Sequence, residues 1–160
     1  MTITIIIEEL LKDIRERSHL DVQGMEPDVQ YRTEAGSDKN EQLKREIVIV
    51  SSALTRMLQR YLTHDNTGTA DDTLDGRVGE QLVWNLNVSE RRASNLAQPL
   101  TDACHDYLVH YALSRYYKSV NAGELSNTHS LQTADAANEI SNLLYSKTPP
   151  TYEQPTAGGN

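Results

Sequence analysis

Apolar residues recur at helical spacing through much of the chain, most densely over residues 99–120, PLTDACHDYLVHYALSRYYKSV. Pro99 suits the first turn of a helix, where a backbone N–H has no partner to lose, and no glycine or second proline follows before Gly123. On a helical wheel the stretch carries two apolar stripes. Leu100, Ala103, Cys104, Tyr107, Leu108 and Tyr111 form one stripe. Val109, Ala112, Leu113 and Tyr116 form the other, roughly opposite, and Asp102, His105, Asp106 and His110 lie on the seams. An ordinary surface helix has one apolar face. A helix with two is sandwiched between layers, or it buries the second face against another chain. Val109, Ala112, Leu113, Tyr116 and Tyr117 are therefore the candidate interface, with Tyr152 in the tail as a further contact.

The same periodicity predicts three more main helices. Residues 4–17 read as a short one, with Thr4 as N-cap and Ile7, Leu10, Leu11 and Ile14 on one face. Residues 18–37 have no period and are punctuated by Gly24, Pro27 and Gly36, so they read as a long connection. Asp38 and Glu41 stand at capping-box spacing before a helix that reaches Thr63, with Leu43, Ile47, Val50, Leu54, Met57, Leu58 and Tyr61 at alternating steps of four and three. The last helix is expected over Thr133–Lys147, on Ala136, Ala137, Ile140, Leu143 and Leu144, and stops at Pro149 and Pro150.

Period two replaces this pattern once. Leu82, Trp84, Leu86 and Val88 alternate with Asn85 and Asn87, which predicts a half-buried strand. With Asp75-Gly76 as a tight turn, Thr73–Val88 suits a β-hairpin. Ser89 then caps a short helix over 90–97, ahead of a new start at Pro99, and Asn121, Ala122 and Gly123 close the central helix. The expected fold is mainly α: a small bundle of four to five helices with a β-hairpin-like insertion around residues 70–88. Residues 1–148 make one helical domain, with 64–88 as its insertion and 149–160 as a flexible C-terminal tail.

Charge and composition narrow the function. The 160 residues include 15 Lys+Arg against 23 Asp+Glu, a net charge of −8 that disfavours general nucleic-acid binding and attachment to anionic membranes. The N-terminus lacks a basic region, and its apolar run is too short for a signal peptide or a membrane span. A soluble protein from a reducing compartment is the expectation. The single cysteine, Cys104, sits in an apolar stripe and reads as a core thiol. Eight tyrosines and no phenylalanine suit half-buried positions, where the ring packs and the hydroxyl finds a partner.

Candidate chemistry is sparse. Asp71, Thr73, Asp75 and Gly76 begin a calcium loop, but the twelfth position is Leu82 where a bidentate carboxylate is needed. Asp106 and His110 are one turn apart, yet no other helix offers the matching ligands of a bundle metal site. Ser114, His129 and Asp135 make a nominal triad of a kind that any chain of this size offers. No catalytic, cofactor-binding or metal-binding residue is assigned, and the expectation is a non-enzyme without cofactor.

The order of elements resembles phage and prophage head–tail connector proteins of the adaptor or head-completion class. IIIEELLKDI resembles their opening helix, and LKREIVIVSSALTRMLQRYL the longer helix that follows. DYLVHYALSRYYKS resembles their Tyr-rich helix, and ADAANEISNLLYSKTPP their closing helix. The likeness spans most of residues 4–150. The resemblance implies a structural virion protein that forms a ring under the portal and links capsid to tail. Its partners would be further copies of itself, the portal and a tail-side neck protein. DNA would pass through without sequence-specific binding, and no membrane would be involved. The implied location is the virion, with host cytoplasm before assembly. The alternatives are a non-viral helical adaptor acting as a homodimer and, further off, a metal-dependent helical-bundle enzyme.

Overall fold

The chain enters as a strand, β1 (Thr2–Ile6), and turns directly into helix α1 (Ile7–Val22). The computed structural model describes residues 1–63 and 81–145, with the backbone alone for 90–92. Strand β2 (Gln81–Asn85) lies antiparallel to β1 in the register Thr2↔Asn85, Thr4↔Val83 and Ile6↔Gln81. The alternating segment at 82–86 is thus a strand, and its described partner is the N-terminus. The other arm of the expected hairpin, 73–80, lies outside the described residues. Residues 4–6 are extended instead of helical because every residue of TITIII is β-branched. Ile3 and Ile5 point into the core, whereas Thr2 and Thr4 face out.

Helix α1 runs five residues past its expected end. The span 18–37, expected as a connection, contains α2 (Pro27–Thr33), with Pro27 in its first turn. Gly24 makes the turn between the two helices at φ +87, a conformation that glycine adopts without strain. A single 3₁₀ turn over Ser37–Lys39 leads into α3 (Asn40–Leu58), whose buried face is Leu43, Ile47, Val50, Leu54 and Leu58. The helix gives way to a second 3₁₀ turn at Gln59–Tyr61, earlier than the periodicity suggests.

The expected break before Pro99 is absent. One helix, α4, covers Glu90–Ser119 with Pro99 inside it. A proline in mid-helix frees the carbonyl four residues back. Here that residue is Asn95, and both it and Pro99 are exposed, so water can take the bond. Asn121 at φ 60 ends α4, and α5 (Gly123–Tyr145) starts at once, ten residues before its expected start.

This early start accounts for the second apolar stripe of α4. The sheet, α1 and α3 pack on one side of α4, and α5 packs along another. Val109, Ala112, Leu113, Tyr116 and Tyr117 are all buried in the subunit's own core. They do not form an exposed interface. Of the sandwich and the partner chain, the structure contains the sandwich. Tyr152 lies outside the described residues.

Candidate functional site

Polar groups meet where α1, α4 and α5 converge. His110, Ser114 and Tyr117 sit one turn apart along α4, Ser18 and Asp21 along the end of α1, and Ser126, His129 and Ser130 along α5. His110 Nδ1 lies 2.9 Å from His129 Nδ1, and the two rings stack. His129 Nε2 lies 2.7 Å from Asp21 Oδ2. Tyr117 Oη lies 2.9 Å from the same carboxylate oxygen and 3.0 Å from Ser18 Oγ. Ser18 Oγ in turn accepts the Ala35 N–H at 2.7 Å.

Donor counting assigns the protons of this network. Asp21 accepts from Tyr117 and from His129 Nε2–H. A neutral His129 then presents Nδ1 as an acceptor, and His110 Nδ1–H donates to it. Tyr117 gives its one proton to Asp21, which leaves the Ser18 hydroxyl to donate to Tyr117 Oη. The pKa of His110 lies below its ordinary value. Burial is the main cause, followed by repulsion from His129 and Arg17, against opposing pulls from Asp106 and Asp21. Burial drives the Tyr117 hydroxyl strongly upward, so it stays a donor at any physiological pH.

The network resembles a proton relay, and its contacts tie α1, α4 and α5 together. His129 is only 1% exposed. Ser114 pairs with Ser130 Oγ, and its carbonyl accepts from Ser126, so the nominal triad of Ser114, His129 and Asp135 is not assembled. His129 is satisfied by Asp21 and His110. His105 faces Asp13 at 3.3 Å, away from His110. Among the described residues no group of three His, Cys, Asp or Glu side chains could hold a metal ion. Asp71, Thr73, Asp75 and Gly76 lie outside them, while Leu82 is buried in the core. The Cys104 thiol is fully enclosed, and burial pushes its pKa up to about 12, which leaves no thiolate for chemistry.

Two surface features remain. A groove of about 520 Å³ runs between α1 and the 3₁₀ turn after α2, lined by Arg15, Glu16, His19, Leu20, Glu34, Gly36 and Ser37. Leu20 on its wall is 59% exposed, and on α2 Val29 is 50% and Tyr31 76% exposed. A second depression of about 620 Å³ lies between α4 and α5, where Tyr111, Arg115, Lys118, Asn121 and Asn127 surround the Ser114, Ser126 and Ser130 hydroxyls.

The periodicity ends the first helix at residue 17, short of Ser18 and Asp21. The available signal was that both extend the α1 face on which Ile14 and Val22 are buried. No family model, no curated protein and no solved structure gives a significant match to this chain.

Proposed function

We propose that this chain is a structural subunit of a phage head–tail connector, assembling as a ring under the portal. The observation that carries the reading lies at the α1–α2 corner, where Leu20 lines the groove and α2 exposes Val29 and Tyr31. Leu20, Val29 and Tyr31 stand in solvent, while every apolar residue of the central helix stripe proposed as an interface is covered. Large apolar side chains left in solvent, one of them on the wall of a groove, favour a protein partner. A ring needs two different surfaces on each subunit, each meeting the other on its neighbour. The α1–α2 corner supplies one of the two.

Part of the element order supports the same reading: the long helix α3, the Tyr-rich central helix α4 and the Ala/Leu-containing closing helix α5, although β1 precedes α1 and the short α2 stands between α1 and α3. A net charge of −8 suits a conduit through which DNA slides, since a basic lumen would grip the duplex. Among the described residues no helix is long and apolar enough to cross a membrane. The portal and a tail-side neck protein are the proposed neighbours. Light scattering on the purified chain, alone and mixed with the portal from the same gene cluster, tests this. Binding to the portal is expected, and a strict monomer that ignores the portal overturns it.

A further inference from the structure

Among the described residues the sheet has an open edge at β1. Met1 and Leu86 exchange both of their backbone hydrogen bonds, at 2.9 and 2.7 Å. In an antiparallel pair such exchanges alternate along the ladder. Ile3 and Ile5 therefore bond to β2, and the N–H and C=O groups of Thr2 and Thr4, with the N–H of Ile6, point the other way. Asn85 confirms the parity on β2, since its carbonyl turns outward to accept the Thr63 N–H at 2.9 Å. That contact, with the bond from Asn87 N–H to the Tyr61 carbonyl, occupies part of the outer edge of β2. Nothing among the described residues takes the outward groups of β1.

Natural edge strands are blunted by lysine, proline, a bulge or a cover, because unpaired ladder groups recruit another strand. TITII carries no charge, no proline and no glycine, and pairs with β2 without a bulge. We infer that β1 pairs with β1 of a second copy of this chain, antiparallel and two-fold about Thr4, to make a continuous four-stranded sheet.

The register argues for a second copy over any other strand. With Thr4 opposite itself, Thr2 faces Ile6 of the second copy and Ile3 faces Ile5. The outward N–H and C=O groups of Thr4 meet their own counterparts, and each Ile6 N–H meets a Thr2 carbonyl, giving four backbone hydrogen bonds. Every facing pair is β-branched, the type that stabilises a pleated surface, and no like charges oppose each other. Ile3 and Ile5 extend the apolar underside of the sheet, and Thr2, Thr4 and Ile6 its wet face. The contact is isologous and closes on itself as a dimer, so it is distinct from the head-to-tail contacts of a ring and does not rest on the connector reading.

Light scattering of the full chain tests it with a charge swap at the two-fold centre. The wild type is expected at about twice its 18.0 kDa chain mass. Thr4→Lys and Thr4→Glu each place like charges opposite one another and are expected as monomers, and mixing them one to one restores the dimer. The Thr4 side chain is exposed, so both variants should keep wild-type helicity by circular dichroism. Hydrogen exchange on the wild type gives an independent check, with the Thr4 and Ile6 amides slowing as concentration rises. A wild-type monomer at every concentration, or a dimer that survives Thr4→Lys, overturns the proposal, as do concentration-independent amides. A larger ring untouched by Thr4→Lys also overturns this contact and leaves the connector reading standing. A Thr4-dependent dimer that ignores the portal does the reverse.

Discussion

His110 on α4 and His129 on α5 meet ring against ring, Nδ1 to Nδ1 at 2.9 Å, with a single proton between them. The bond requires one ring to donate and the other to accept. Asp21 selects the roles by taking the far N–H of His129 at 2.7 Å. Protonating both rings would set two N–H groups against each other.

Stability should therefore fall in mild acid. The unfolded chain protonates His110 as pH drops through about 6.5, while the folded chain, whose value is lowered, resists until lower pH. The unfolded state then binds more protons, so the contribution of His110 is complete above 6.5 and is lost as pH falls through the folded value. His110→Asn keeps an N–H near the Nδ1 position and removes the titration. Thermal melts between pH 7.5 and 5 should show a shallower decline for the variant than for the wild type.

The tyrosine hydroxyls are structural. Tyr116 donates to the Glu34 carbonyl at 2.9 Å and Tyr117 to Asp21, and both tie α4 to the segment containing α1 and α2. Tyr117→Phe removes a donor to a partly buried carboxylate, and a loss of about 1–3 kcal/mol is expected in urea unfolding. A change below the fitting error would show that the hydroxyl is not engaged.

Leu113 separates a core residue from an interface residue. It is fully buried in the lone subunit. Leu113→Ala should cost about 2–5 kcal/mol, as cavity-forming substitutions do, and the loss should not depend on protein concentration. A concentration-dependent effect would return the second stripe of α4 to an intersubunit role.

Pro99 interrupts α4 at a solvated position. Replacing it with alanine restores a backbone donor, and a gain of about 1–3 kcal/mol is expected from the helix preference of alanine over proline. Melting temperature is the readout, and unchanged or lower stability contradicts this account of the helix.

Long-period features were legible from sequence, and features set by distant partners were not. The face of α3 and the last turns of α5 followed from their spacing, and the mainly-α class with them. The helical spacing of Ile7, Leu10, Leu11 and Ile14 masks the N-terminal strand, for which the β-branched run TITIII is the one local signal, and the partners of Ile3 and Ile5, Trp84 and Leu82, lie about 80 residues on. The polar start of α5, GELSNTHSLQ, hid ten helical residues. Without them the second stripe of α4 looked uncovered, which is why Val109 and Leu113 became interface candidates. The network at His129 stayed hidden for the same reason, since Asp21 is 108 residues away.

Among the described residues Tyr31 is the most exposed of the large apolar side chains and makes the strongest surface variant. Tyr31→Ser should leave folding stability within about 0.5 kcal/mol, as surface changes do. It should weaken association measured by sedimentation. An unchanged association constant removes the α1–α2 corner from the interface.

Mass measurement by light scattering of the full chain mixed with the portal from the same gene cluster bears most directly on the proposed structural role. The account predicts a stable complex holding several copies of the chain on each portal ring. A chain that elutes apart from the portal, at the mass it has alone, contradicts it.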